Sequence, residues 1–433
     1  MATGLSLGLF ILLLFLLSLG IWVAPALIAL GYILLEFFTP APVGSLLAST
    51  LWDASWNWAL TALPLFIWMG EILFRTRLSS DMFKGLAPML SKLPGGLLHV
   101  NVVGCGLMAA VAGSSAVTCA TIGRMSIPEL KKRNYDETLS IGSLAGSGTL
   151  GLLIPPSIML IVYGVLAQVS ISRLFIAGVL PGIMIIMIFM SYIMIRAKLN
   201  PSLAPKENIT YTFYEKIIAA RHLFPVVGLI FCVLGSIYGG YATPTEAATI
   251  GVLGALILAW STKTLNKKSF FDSLMGAVKT SCMINFIIVG AAFLSVAMGY
   301  TGIPKQLGEI VNEFQLSQIS LLAILTLLYI FLGCFLEGTS MMVLTASVVL
   351  PMVQAAGIDL IWFGIFTVIV VEMAQITPPV GFNLFVLQAM TGRDILQVTK
   401  AAMPFFFLML LSIIILIIFP EIVTAPVHYM LQR

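Results

Sequence analysis

Two polar breaks of one design interrupt a chain that is otherwise built from long apolar runs. The first pairs Ala112-Gly113-Ser114-Ser115-Ala116-Val117-Thr118 with Gly148-Thr149-Leu150-Gly151-Leu152-Leu153-Ile154-Pro155-Pro156-Ser157. The second pairs Glu337-Gly338-Thr339-Ser340-Met341 with Gln375-Ile376-Thr377-Pro378-Pro379-Val380-Gly381-Phe382-Asn383. In each half a glycine and hydroxyl cluster lies roughly forty residues upstream of a Pro-Pro pair, inside hydrophobic sequence. Proline lacks an N–H and its ring obstructs the preceding turn, so each pair frees backbone carbonyls from helical bonding. At membrane depth such carbonyls are tolerated only against protein or a water-filled cavity. Matched breaks in two halves are the mark of a duplicated core with broken helices at mid-membrane.

Composition supports the membrane reading. Of 433 residues 60% are hydrophobic and 9% charged, where a soluble chain carries about 25% charged residues. Runs able to cross roughly 30 Å of hydrocarbon recur along the length, without the alternation of a membrane barrel, so the spans are helices. The net charge of +4 gathers in short loops, which suits orientation signals and gives no nucleic-acid surface. Cys105, Cys119, Cys232, Cys282 and Cys334 lie in apolar segments without paired spacing, and His99, His222 and His428 are far apart, which argues against a disulfide framework or a zinc site. The N-terminus enters apolar sequence without a basic region, so the first helix is expected to be kept.

Taken in order, residues 1–80 are expected to be scaffold helices and an interfacial arm. Residues 5–38 suit one long helix or two short ones; residues 39–57 hold Trp52 and Trp56, with Trp58 just beyond, and favour the interface, and a helix follows over 58–74. Residues 81–195 form a first repeat core: a re-entrant hairpin over about 97–124 with its tip at Gly113–Ala116, a broken helix over about 138–167, and a span over 174–195. Basic residues on both flanks of that hairpin (Lys84 and Lys92 before, Arg124, Lys131, Lys132 and Arg133 after) put both in the cytoplasm. Residues 196–222 are a cytoplasmic linker, and 223–300 hold scaffold spans near 223–238, 246–261 and 274–299. Thr243 or Thr245 is placed to cap the second of these, with Glu246 at its positive end. Residues 301–433 carry a second hairpin over about 319–355, a broken helix over about 359–391 and a last span over 402–420. No Lys or Arg occurs between Lys305 and Arg393, so this hairpin enters from the other side and the repeats are inverted.

Helix N-termini and free N–H groups favour an anion, while freed carbonyls and neutral hydroxyls favour a small cation. Ser115, Thr118, Gly151, Ile154 and Pro156 in one half, and Gly338, Thr339, Ser340, Ala374, Thr377 and Val380 in the other, can each supply a side-chain or main-chain oxygen to one cation. Two half-sites suggest at least two ions. Apart from Glu337 the motifs hold no carboxylate or histidine, and proton coupling needs a titratable group where Na+ needs only oxygens, so the sequence leans to Na+. Ser114, Ser115, Thr339, Ser340 and Asn383 are the candidates for holding an anionic substrate. Glu372 reads as a carboxylate that faces a cavity or a partner, or else sits near water.

These motifs resemble the large membrane subunit, DctM-like, of tripartite ATP-independent periplasmic (TRAP) transporters, across essentially the full length. The match rests on Pro94-Gly95-Gly96, Ala112 to Gly123, Gly148 to Ser157, Ala177-Gly178 with Pro181-Gly182, Thr243 to Ala248, and Thr377 to Phe385. The resemblance implies an all-α polytopic membrane protein with the inverted-repeat, elevator-type fold of the ion transporter superfamily. It implies Na+-driven import of an organic acid anion, received from a soluble periplasmic substrate-binding protein. A separate small four-helix membrane subunit and a place in the bacterial inner membrane are implied as well. The family's Ser-Gly-Ser reads Ala112-Gly113-Ser114 here, which removes one hydroxyl. Gln375 stands where small residues are common and is either a substrate contact or a packing variant.

Three other functions would leave different marks on the sequence. A standalone Na+- or H+-coupled carrier of the same class would not need a binding protein. An ion channel would not need two matched broken-helix sites. An enzyme using Ser114 or Ser115 as nucleophile would need a histidine or lysine base that the motifs lack, and no Gly-x-x-x-x-Gly-Lys loop occurs to support direct ATP use.

Overall fold

The computed structural model of the chain describes residues 2–76, 78–205, 212–306, 309, 317–333, 336–378 and 381–431, and all regular structure among them is helical. The first apolar stretch is two helices, α1 (Ala2–Ser18) and α2 (Val23–Phe38), parted at Gly20 with its φ of 78°. Left-handed glycine just past a helix end is the usual stop. The tryptophan-rich arm is itself helical, α3 (Val43–Ser55), and meets α4 (Ala62–Phe74) across the 3-10 turn Trp58–Thr61 at a bend of 52°. Trp52, Trp56 and Trp58 are exposed.

After α5 (Leu78–Leu90) come α6 (Leu98–Ala112) and α7 (Ser115–Lys132), which pack on each other as a helical hairpin. The first broken helix is α8 (Glu137–Gly148), the 3-10 turn Thr149–Leu152 and α9 (Ile158–Leu166). Next are α10 (Ile171–Leu199), α11 (Phe213–Ala220), α12 (Phe224–Tyr238), α13 (Pro244–Ser261) and α14 (Lys267–Thr301). The second hairpin is α15 (Gln318–Gly333) and α16 (Gly338–Ala355), and the second broken helix is α17 (Leu360–Ala374) and α18 (Phe382–Thr391). The chain ends with α19 (Ile395–Ile418) and α20 (Glu421–Leu431).

Three boundaries depart from the hydropathic reading. The span expected over 274–299 begins at Lys267, and the span expected over 402–420 runs from Ile395 to Ile418. The first two turns of each carry polar residues, Lys267, Lys268 and Asp272 in one and Gln397 and Lys400 in the other, so hydropathy sees only the later part of each helix. Beyond Pro420 the chain resumes as α20 and packs on α10 instead of ending with the last span. At α13 the cap is Thr243, not Thr245: Glu246 Oε2 accepts from the Thr243 N–H and hydroxyl, each at 2.8 Å, in a capping box.

By length and composition five described helices can cross a membrane, or seven if each bent pair is one span. The helices sort into two groups. In one, α14 lies against α2, α3 and α4, and α13 against α4 and α12. In the other, the hairpins and broken helices exchange partners in matched fashion: α7 packs on α18 and α16 on α9, while α8 packs on α19 and α17 on α10. The groups meet where α14 touches α16 and where α4 touches α6 and α9.

Bare glycines set the close approaches. A Cβ on Gly142 of α8 would stand 2.2 Å from the Ala401 carbonyl oxygen of α19, whereas one on Gly228 of α12 meets nothing within 4 Å. Gly142→Ala should therefore destabilise by about 1–3 kcal/mol through overpacking, read as a lower unfolding midpoint in detergent, and Gly228→Ala should not.

Candidate functional site

At the first hairpin tip Gly113 turns the chain with a φ of 60°, and Ser114 precedes α7 in extended backbone without a side-chain cap bond. The first turn of α7 therefore presents N–H groups that no capping side chain occupies. This tip rests on the first break. A Cβ at Gly151 would lie 2.6 Å from the Ser114 carbonyl carbon and oxygen and from Ser115 Cα, so glycine is what lets the two backbones touch. The Pro156 carbonyl stands beside Gly113. Ser157 Oγ donates to the Leu152 carbonyl and accepts from the Leu160 N–H at 3.3 Å, so one freed carbonyl has its partner within the break.

The second tip is built differently. Glu337 caps α16, its carboxylate accepting from the Thr339 N–H at 3.1 Å, the Ser340 N–H at 3.2 Å and the Ser340 hydroxyl at 3.3 Å. Thr339 and Ser340 thus do not offer free N–H groups to a substrate anion as the sequence reading had it, because the positive end of α16 already carries its own carboxylate. Gly338 sits against Gln375, whose Nε2 would be 2.4 Å from a Cβ there.

In the second break Thr377 Oγ1 donates to the Met373 carbonyl at 2.9 Å, and the Thr377 N–H donates to the Ala374 carbonyl at 3.1 Å. The Thr377 carbonyl accepts from the Gly381 N–H and the Gln375 carbonyl from the Asn383 N–H. The Met373 carbonyl also accepts from the Ile376 N–H, whereas those of Ala374, Gln375 and Thr377 each keep a second lone pair for a ligand among the described contacts. Val380 lies outside the described residues.

The residue that sequence reasoning underrated is Glu372. It is 1% exposed, away from water, and Ser115 Oγ donates to its Oε1 across 257 positions of sequence. A buried carboxylate just outside the second break motif thus joins the two halves. The signal was present in the sequence: an acid in a fifteen-residue apolar helix with no Lys or Arg nearby. Glu372 Oε2, Thr118 Oγ1, Gln375 Nε2 and both side-chain ends of Asn383 are buried without a hydrogen-bond partner among the described residues.

A cavity of about 100 Å³ opens between the two tips and α14, lined by Ser114, Ser115, Glu337, Thr339, Gln375 and, from α14, Thr280. It gathers four of the expected substrate residues. Ser340 and Asn383 are not in its lining, and neither are Thr118, Gly151, Ile154, Pro156, Gly338, Ala374 and Thr377. A larger open cleft of about 420 Å³, bordered by Arg173, Tyr241 and Glu246, shares no lining residue with it.

Residues 10–422 match the family described as Tripartite ATP-independent periplasmic transporter, DctM component. The chain is 32% identical over 398 residues to the C4-dicarboxylate TRAP transporter large permease protein DctM of Pseudomonas aeruginosa, covering 91% of this chain and 92% of that one. It is 31% identical over 403 residues to the isethionate TRAP transporter permease protein DctMQ of Oleidesulfovibrio alaskensis, covering 91% of this chain and 63% of the relative. Among solved structures, the YdaH transporter of Alcanivorax borkumensis shares the fold with a TM-score of 0.58 at 13% identity, over 86% of each chain. With its two helical hairpins, two broken helices and the cavity between the tips, the chain belongs to the DctM component family of tripartite ATP-independent periplasmic transporters.

Proposed function

We propose that this chain is the large transmembrane subunit of a Na+-coupled secondary transporter of the bacterial inner membrane, importing a small organic acid anion. The observation that carries the reading is the cavity held between two hairpin tips and the scaffold helix α14. A soluble periplasmic binding protein delivers the anion, and a small membrane subunit completes the scaffold. The names of the relatives, C4-dicarboxylate and isethionate transporters, point to a carboxylate or sulfonate.

The uncapped start of α7, with the Ser114 hydroxyl, takes the anionic group. Gln375, buried with an unpartnered Nε2 at the cavity wall, donates a second bond. The donor set around the breaks is hydroxyl, carbonyl and carboxylate oxygen, which fits Na+, and the unpartnered Thr118 hydroxyl is an orphan that such an ion would satisfy. Ser115, Thr118 and the carbonyls of Gly151, Ile154 and Pro156 would hold one ion; Thr339, Thr377 and the carbonyls of Gly338 and Ala374 would hold another. Bound Na+ supplies positive charge beside the substrate.

The matched partner exchange between halves supports an inverted repeat, since each hairpin packs on the far part of the other half's broken helix. The sorting into two groups supports an elevator, in which the hairpins and broken helices carry the cavity past α14, which stays with α2, α3 and α4.

Uptake of labelled C4-dicarboxylates, sulfonates and sugar acids into proteoliposomes tests this, with the small subunit in the membrane and the binding protein outside. Accumulation is expected under an imposed Na+ gradient, and Ser115→Ala should lower it at least about tenfold, as loss of a positioning contact does. Accumulation driven by a proton gradient alone would sink the sodium assignment, and accumulation without the binding protein would sink the tripartite one.

A further inference from the structure

Glu372 has no role in the cation sets drawn from the motifs, yet it stands in contact with one of their members. Its Oε1 receives the Ser115 hydroxyl, its Oε2 has no partner among the described residues, and it is 1% exposed. No described Lys, Arg or His forms an ion pair with it. A buried carboxylic group holds either a proton or a counter-charge, and a carboxylate left with neither destabilises the fold strongly.

The Leu152 N–H faces this carboxylate, and the helices that meet beside it carry buried oxygens without a partner. Ser115 and Thr118 are three apart on α7 and share a face, so the contact from Ser115 turns Thr118 toward the α17 side. Thr118 Oγ1 is fully buried and unpartnered. α18, which packs on α7, brings Asn383, also fully buried and with an unpartnered Oδ1. An isolated hydroxyl and an isolated amide oxygen in an apolar interior are each unfavourable. A cation shared with the lone carboxylate oxygen would satisfy all three.

We propose that Glu372 is the anionic ligand of a monovalent cation site completed by Ser115, Thr118 and Asn383, so that one of the ions in the core is charge-neutralised by the protein. The site spans the two halves, with α7 giving the hydroxyls and the second broken helix giving the carboxylate and the amide. It moves Asn383 from substrate to cation, in keeping with its absence from the cavity lining. It also supplies a reason for Ser115 to face away from a purely neutral cage: its hydroxyl lone pairs serve the ion while its proton is held by Glu372.

This inference rests on the Na+ reading above, and the test separates the two. The purified full-length chain, with its small subunit where they co-purify, is unfolded thermally across a Na+ titration balanced with choline chloride. Wild type is expected to show a saturable rise in midpoint. Glu372→Gln keeps the shape and the Ser115 contact, and should raise the half-saturating Na+ concentration at least tenfold. Thr118→Val is nearly isosteric, and should raise it about threefold while leaving the midpoint in choline unchanged or higher. If Glu372→Gln does not fold, Thr118→Val decides. Unchanged half-saturation in the folded variants, with only a constant offset in midpoint, would mean that Glu372 serves the fold alone and overturns the proposal. A wild type blind to Na+ overturns the sodium reading and this site with it.

Discussion

Gly151→Ala is expected to reduce uptake by at least about tenfold while the protein still inserts and purifies. The added Cβ would stand 2.6 Å from three backbone atoms of Ser114 and Ser115, and backbone has no rotamer to turn aside. Either the 3-10 turn Thr149–Leu152 or the start of α7 must retreat by ~1 Å, a displacement that in a positioned site costs about a hundredfold. The retreat would also pull the Ser115 hydroxyl from Glu372 and open the junction between halves. Overpacking itself costs about 1–3 kcal/mol, too little to prevent folding of a chain this size. Gly299→Ala on α14 is the control, because its Cβ would meet nothing within 4 Å. Uptake is compared at equal amounts of reconstituted protein, and wild-type rates for Gly151→Ala would mean that the close approach has no part in transport.

What the sequence reveals and what it hides divide along a physical line. Gly113 and the Pro-Pro pairs act on their own backbone, through φ and a missing N–H, so hairpin tips and helix breaks are written locally. Gly20 also acts locally, but hydropathy averages over it, and one long run or two short ones read alike until the turn is seen. The starts of α14 and α19, with charged residues in their first two turns, are hidden for the same reason, since an apolar window begins where the lipid does and not where the helix does. Glu337 was visible as an acid beside the Gly-Thr-Ser cluster, but its cap depends on where α16 begins. The Ser115 to Glu372 contact is not local at all. It links positions 257 apart, and only the packing of the first hairpin against the second broken helix decides that this acid faces a hydroxyl instead of water.

Linking the first hairpin tip to α14 should stop transport. Ser114 and Thr280 line the same small cavity from opposite groups of helices. In a chain with its native cysteines replaced, Ser114→Cys with Thr280→Cys should react with a short bifunctional thiosulfonate, and uptake should fall more than about tenfold, the scale expected when a required conformational step is blocked. Reductant should restore it. This pair alone does not separate sliding of a whole domain from opening of a tip, because a bridge at the tip blocks both. A second pair does. Phe66 of α4 and Phe175 of α10 are buried across the boundary between the groups, with ring centroids 6.0 Å apart, and neither lines the cavity. If the hairpins, broken helices and α10 move together past α4 and α14, a bridge between cysteines at 66 and 175 stops uptake as completely as the bridge at the tip. If only the tips move, the distant bridge leaves uptake at the rate of its own reduced form, and the elevator reading fails while the site at the tips stands.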